Sequence, residues 1–69
     1  MERSSVSSSN IESVGYDSDS LTLEVEFKGG SVYQYYDVPS HVYEDFTSAD
    51  SLGSYLHHSI KKNFSVSKV

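Results

Sequence analysis

The chain has 69 residues, no cysteine, and a formal net charge of −5 from ten acidic and five basic side chains. A chain this short makes one domain with a marginal core, burying only about 60% of the surface its unfolded form exposes. The missing cysteines exclude disulfides, thiolate metal sites and thiol redox chemistry. The acidic balance opposes duplex nucleic acid or an anionic membrane as the default partner, because both require clustered lysine and arginine.

Residues 1–9, within "MERSSVSSSN", are polar and serine-rich, with Val6 as the anchor. They are expected to form a flexible N-terminal segment ahead of a single domain over 10–69. The segment lacks the apolar stretch of a signal peptide. No apolar run approaches the ~20 residues a spanning helix needs, so the expected location is cytoplasmic, without membrane contact.

The first strand signal is "IESVGY" at 11–16, followed by "DSDS" at 17–20, whose side chains suit a turn. A four-residue loop there pairs Tyr16 with Leu21 and Val14 with Leu23. Residues 21–28, "LTLEVEFK", alternate strictly, with Leu21, Leu23, Val25 and Phe27 on one side and Thr22, Glu24, Glu26 and Lys28 on the other. That period of two marks a half-buried strand. Gly29-Gly30 fits a two-residue type I′ hairpin. The resulting register sets Phe27 against Val32 and Leu23 against Tyr36. Val32, Gln34, Tyr36 and Val38 then share the apolar face, and Tyr33 and Tyr35 lie on the other, across from Glu26 and Glu24. A one-residue slip inverts the assignment.

Pro39-Ser40 reads as a helix start with Ser40 as the cap, opening a helix that buries Val42, Phe46 and Tyr43. Asp50 or Ser51 caps a second helix whose Leu52, Tyr55, Leu56, Ser59, Ile60 and Phe64 form one stripe. Gly53 within it is expected to mark a close approach to a neighbouring element. "FSVSKV" at the C-terminus fits either a short edge strand or a loose tail. The expected fold is α+β, a three-stranded antiparallel β-meander packed on one face by two helices.

Chemistry-bearing motifs are few. His57 and His58 are adjacent on a helix and project about 100° apart, His41 is distant, and no metal-ligand spacing is visible. Asp17-x-Asp19 resembles the start of a calcium loop, but Lys28 stands where the bidentate Glu belongs. No nucleophile elbow or phosphate-cradling glycine loop occurs, and a two-layer domain this small rarely encloses a small-molecule pocket. The chain therefore reads as non-catalytic, with no cofactor, metal or small-molecule substrate.

The assembled residues resemble the KTSC domain, found at the C-terminus of some lysyl-tRNA synthetases and as a stand-alone small protein in microbes. The resemblance runs from "VSSSNIESVGYD" through "LEVEFKGGSVYQYYDVPSHVY" to "ADSLGSYLHHSIKKNF". Its most recognisable piece is Tyr33-Gln34-Tyr35 followed by Val38-Pro39 and Val42-Tyr43; Ala49, Ser51, Gly53, Tyr55 and Ile60 also match. Leu56-His57 departs from the Phe-Asn common at that place. The resemblance brings no established activity with it; its association with the synthetase suggests RNA contact.

Two partner classes follow. In the first, Tyr33 and Tyr35 stack on bases of single-stranded or tRNA-like RNA, a contact worth ~1–3 kcal/mol per base, while Lys61, Lys62 and Lys68 touch phosphates. Plain strand packing for the tyrosines, and solubility for the lysines, are the competing explanations. In the second, the tyrosine-bearing face or an open strand edge binds another protein or a second copy of the chain. The expected state is a monomer or weak homodimer.

Overall fold

The computed structural model describes residues 1–69. Five antiparallel strands form one sheet in the order of the chain: β1 (Ser4–Ser5), β2 (Ile11–Asp17), β3 (Thr22–Phe27), β4 (Val32–Tyr35) and β5 (Val66–Lys68). Between β4 and β5 run α1 (Ser40–Thr47), then α2 (Leu52–Tyr55), which continues into a π-helical turn over Leu56–Ile60. The α+β class stands. The sheet is wider than the three-stranded meander read from the sequence, because a short strand extends it at each edge. One of them, β1, comes from the segment expected to be loose, and the C-terminal alternation yields β5.

The glycine hairpin corrects the register. Only Gly30 has a left-handed φ, at +97°, whereas a type I′ turn needs two such residues. Gly30 N donates to the Phe27 carbonyl and Phe27 N to the Ser31 carbonyl, both at 2.8 Å. These bonds close a three-residue loop, Lys28-Gly29-Gly30, with the bulge its left-handed glycine supplies. Leu23 therefore faces Tyr35, Val25 faces Tyr33, and Glu24 faces Gln34. One residue of slip moves every β4 side chain across the sheet. Tyr33 and Tyr35 lie inward beside the leucine and valine of β3, not across from the glutamates. Tyr35 is 2% exposed and Tyr33 is half-buried. Val32, Gln34 and Tyr36 take the outer side. Val38 remains in the core because Asp37, at φ 59°, ends the strand and redirects the chain.

The β2–β3 hairpin keeps its expected faces but slides by two residues, so Tyr16 meets Leu23 and Val14 meets Val25. The turn occupies 18–21. Asp17 Oδ1 accepts from Asp19 N at 3.0 Å, and Leu21, expected in the apolar row, sits at φ 55° and is exposed. Its carbonyl accepts from Val38 N at 2.9 Å, which ties the turn to the end of β4.

The core consists of Ile11, Val14, Leu23, Val25, Tyr35 and Val38 from the sheet side, covered by Phe46, Leu56 and Ile60 from the helices. Ser40 is not the cap of α1; Pro39, extended at φ −64°, ψ 153°, holds that place without a side-chain bond. Ser51 caps α2, its hydroxyl accepting from Ser54 N at 3.3 Å. Gly53 makes no tight approach: a Cβ there would lie 3.6 Å from Asn10 Nδ2, an ordinary contact.

Candidate binding groove

The same register that turns the tyrosines inward brings them to the basic end of the chain. Directly opposed residues of an antiparallel pair share a face. Lys68 of β5 is opposite Tyr33, and Val66 is opposite Tyr35, so all four occupy the helix-covered side. The helices do not cover its β4–β5 corner. A groove of about 340 Å³ opens there, lined by Phe27, Ser31, Tyr33, Tyr35, Lys61 and Val66. Its volume reaches the lower end of the range small-ligand sites occupy.

Each wall has a local cause. Phe27 ends β3 at the bulged hairpin and meets Tyr33 edge to face, with centroids 5.6 Å apart and planes at 80°. Tyr35 forms the buried floor, and burial, followed by the neighbouring Tyr33, pushes its phenol above the ordinary value. Lys61 follows the π-helical turn, its N–H donating to the Leu56 carbonyl at 2.8 Å. That wider turn sets the direction in which the chain delivers Lys61 to the mouth; such turns recur at functional sites.

Of the five residues singled out from sequence, Tyr33, Tyr35 and Lys61 line this groove and Lys68 lies on its side of the sheet. Lys62 is exposed and is not part of the lining. Phe27, Ser31 and Val66 were not anticipated. Phe27 was legible as an apolar strand residue, but its proximity to β5 follows from the bulged loop and from the C-terminal strand.

Charge is segregated by the sheet. Glu24 and Glu26 lie on the outer face, where Arg3 pairs with both. Both glutamates therefore lie on the opposite side of the sheet from Tyr33. No lysine makes an ion pair within 4.0 Å, so Lys61, Lys62 and Lys68 are unneutralised cations. Elsewhere, the His57 and His58 rings meet at 5.0 Å and 80°, and no three His, Asp or Glu side chains gather as a metal site. No helix is long and apolar enough to cross a membrane.

The KTSC domain matches residues 7–64. The chain belongs to the KTSC family. Its fold is that of a KTSC domain protein from Yersinia pestis, whose crystal structure superposes with a TM-score of 0.92 at 42% identity, over 99% of this chain and 96% of that one. A protein of Tsukamurella paurometabola is 41% identical over 59 residues, spanning 86% of this chain and 88% of its own length. A lysine–tRNA ligase of Trichormus variabilis is 44% identical over 54 residues; the match takes 78% of this KTSC chain but only 10% of the ligase.

Proposed function

We propose that this KTSC chain is a non-catalytic, cytoplasmic module that binds single-stranded RNA, with the β4–β5 groove as its contact. One observation carries the proposal: Tyr33, Tyr35 and Lys61 line a single groove, and Lys68 stands opposite Tyr33 on the same side. An aromatic cleft with free cations at its rim suits a base whose flanking phosphates reach the lysines. The similarity to a segment of lysine–tRNA ligases makes tRNA a natural probe beside unstructured RNA.

A salt titration tests this reading. Binding to a short single-stranded RNA should strengthen as salt falls, with a slope of about −0.7 for each phosphate contact. Lys61→Ala should flatten the slope by about that amount, and Tyr33→Ala should weaken binding at every salt concentration. Undetectable affinity at the lowest salt, or affinity indifferent to Tyr33→Ala, would remove the proposal.

A second reading rests on the β5 edge, where Val66 is 45% and Val69 63% exposed. An uncovered edge with apolar side chains suits self-association or addition of a partner strand. Sedimentation across a concentration series separates the two: a strict monomer at high concentration leaves no self-association to explain.

A further inference from the structure

The floor of the groove carries a polar group for which the fold has no use. Tyr35 is 2% exposed. Buried phenols ordinarily find a hydrogen-bond partner. Tyr16 and Tyr36 are the tyrosines whose hydroxyls bond within the chain, to the Val38 carbonyl and the Gln34 side chain. The Tyr35 hydroxyl bonds to no group of the chain, yet no fully enclosed side-chain oxygen or nitrogen lacks a partner. The hydroxyl therefore keeps part of the little surface that remains to Tyr35. That surface opens into the groove, the one cavity Tyr35 lines. The Tyr33 phenol, itself in the lining, acts on the Tyr35 phenol electrostatically, which places the two hydroxyls on the same side.

The rest of the lining limits what can meet this hydroxyl. The polar side chains of the groove are those of Ser31, Tyr33, Tyr35 and Lys61: three hydroxyls and an ammonium, with no carboxylate, carboxamide or imidazole among them. Each can donate a hydrogen bond, and the ammonium can only donate. Phe27 and Val66 supply apolar wall. A ligand that donates to the Tyr35 oxygen leaves the phenol's own proton without an acceptor in this floor. Sites built around one hydrogen bond reject close analogues through that kind of loss. A ligand that accepts from the phenol satisfies it.

We propose that the Tyr35 hydroxyl sets base choice in this groove, donating to a carbonyl oxygen of the base and so selecting uracil over cytosine. The inference rests on the single-stranded RNA reading above and names the base that reading leaves open. Uracil presents an oxygen at C4 where cytosine presents an amino group, on rings of the same size and shape. Exposed edges of unstacked bases are what single-strand binders read. The groove's 340 Å³, at the lower end for ligand sites, favours a pyrimidine over the larger purines. A few placed polar groups in an otherwise apolar site are enough to fix such a choice.

The test titrates oligouridine and oligocytidine of equal length into the full chain at low salt. Wild type should bind oligouridine about tenfold more tightly. Tyr35→Phe keeps the ring and removes only the hydroxyl; it should bring the two affinities within about twofold and leave the salt slope unchanged. Tyr33→Ala should weaken both oligomers alike. Since the Tyr35 hydroxyl has no partner in the fold, the melting midpoint of Tyr35→Phe should equal or exceed that of wild type. A fall in that midpoint would mean that the hydroxyl is bonded inside the fold, and overturns the proposal. Equal wild-type affinity for the two RNAs, a uridine preference that survives Tyr35→Phe, or a folded Tyr35→Phe that binds neither also overturns it, while leaving the groove as an RNA contact. Wild type that binds neither RNA overturns it together with the reading beneath it.

Discussion

Tyr16 of β2 and Tyr43 of α1 stack with ring centroids 4.7 Å apart and planes 11° from parallel, joining the sheet to its first covering helix. The Tyr16 hydroxyl also donates to the carbonyl of Val38, the buried residue just ahead of α1. Tyr16→Phe keeps the stack and removes the hydrogen bond, and should cost about 1 kcal/mol. Tyr16 and Tyr43 changed together in a double-mutant cycle should show a coupling of about 0.5–1.5 kcal/mol, measured by urea unfolding. Burial, and then the charge of Asp17, raise the Tyr16 phenol above its ordinary value. A raised phenol contributes stability that is whole below about pH 10 and is lost as pH rises through the folded value, so Tyr16→Phe should blunt alkaline unfolding.

The glycines of the β3–β4 hairpin are not equivalent. Gly30 holds φ +97°, where an L side chain is strained, whereas Gly29 has no positive φ and open space where a Cβ would stand. Gly30→Ala should lose about 1–2 kcal/mol. Gly29→Ala should be neutral or gain about 0.4–1 kcal/mol by restricting the unfolded chain. Equal losses at both positions, read from melting midpoints, would indicate a two-residue turn and the opposite facing of Tyr33.

That loop marks the limit of what the sequence reveals. Strict alternation over 21–28 and the helical stripe from Leu52 to Phe64 point to β3 and the second helical segment, because periodicity reports which side a residue faces; it does not report exposure, since Thr22 and Glu24 of the outer row are both buried. Tyr33 and Tyr35 are different: apolar and amphipathic residues fill both parities of "SVYQYY", so only the turn decides which side each ring takes. Two glycines satisfy both a type I′ turn and a bulged three-residue loop. The groove depends further on β5, whose weak alternation gives no hint that Val66 and Lys68 pair with the tyrosines. Arg3 was hidden for a similar reason, since a serine-rich arm shows no periodicity until its arginine meets Glu24.

Gly15 lies beneath the N-terminal arm. A Cβ there would stand 2.4 Å from the Glu2 carbonyl oxygen, and backbone cannot yield as a side-chain tip can. Gly15→Ala should therefore dislodge residues 1–5 and separate Arg3 from Glu24, costing about 1–3 kcal/mol. Hydrogen exchange should show the amide of Ser4, the β1 residue that faces β2 in the hydrogen-bonded register, losing protection while those of β3 and β4 keep theirs. Unchanged protection in β1 would mean that the arm does not rest on Gly15.

Glu24 makes stability depend on acidity in a direction that can be fixed in advance. The Gln34 amide, and then the Arg3 guanidinium, stabilise its charged form and hold its carboxyl below the ordinary glutamate range, despite the opposing effect of burial. A lowered carboxyl contributes stability that is present above the unfolded value of about 4.3 and is lost as pH falls through the folded value. Glu24→Gln removes the titrating group and weakens the bond to Arg3, which should cost about 1–3 kcal/mol at neutral pH. The gap between wild type and Glu24→Gln should then narrow steadily in unfolding experiments taken below pH 4. Asp17, lowered mainly by the Asp19 N–H, titrates in both proteins and cancels from the difference. A gap that stays constant down to pH 2 would show that Arg3 and Gln34 do not favour the ionised carboxylate.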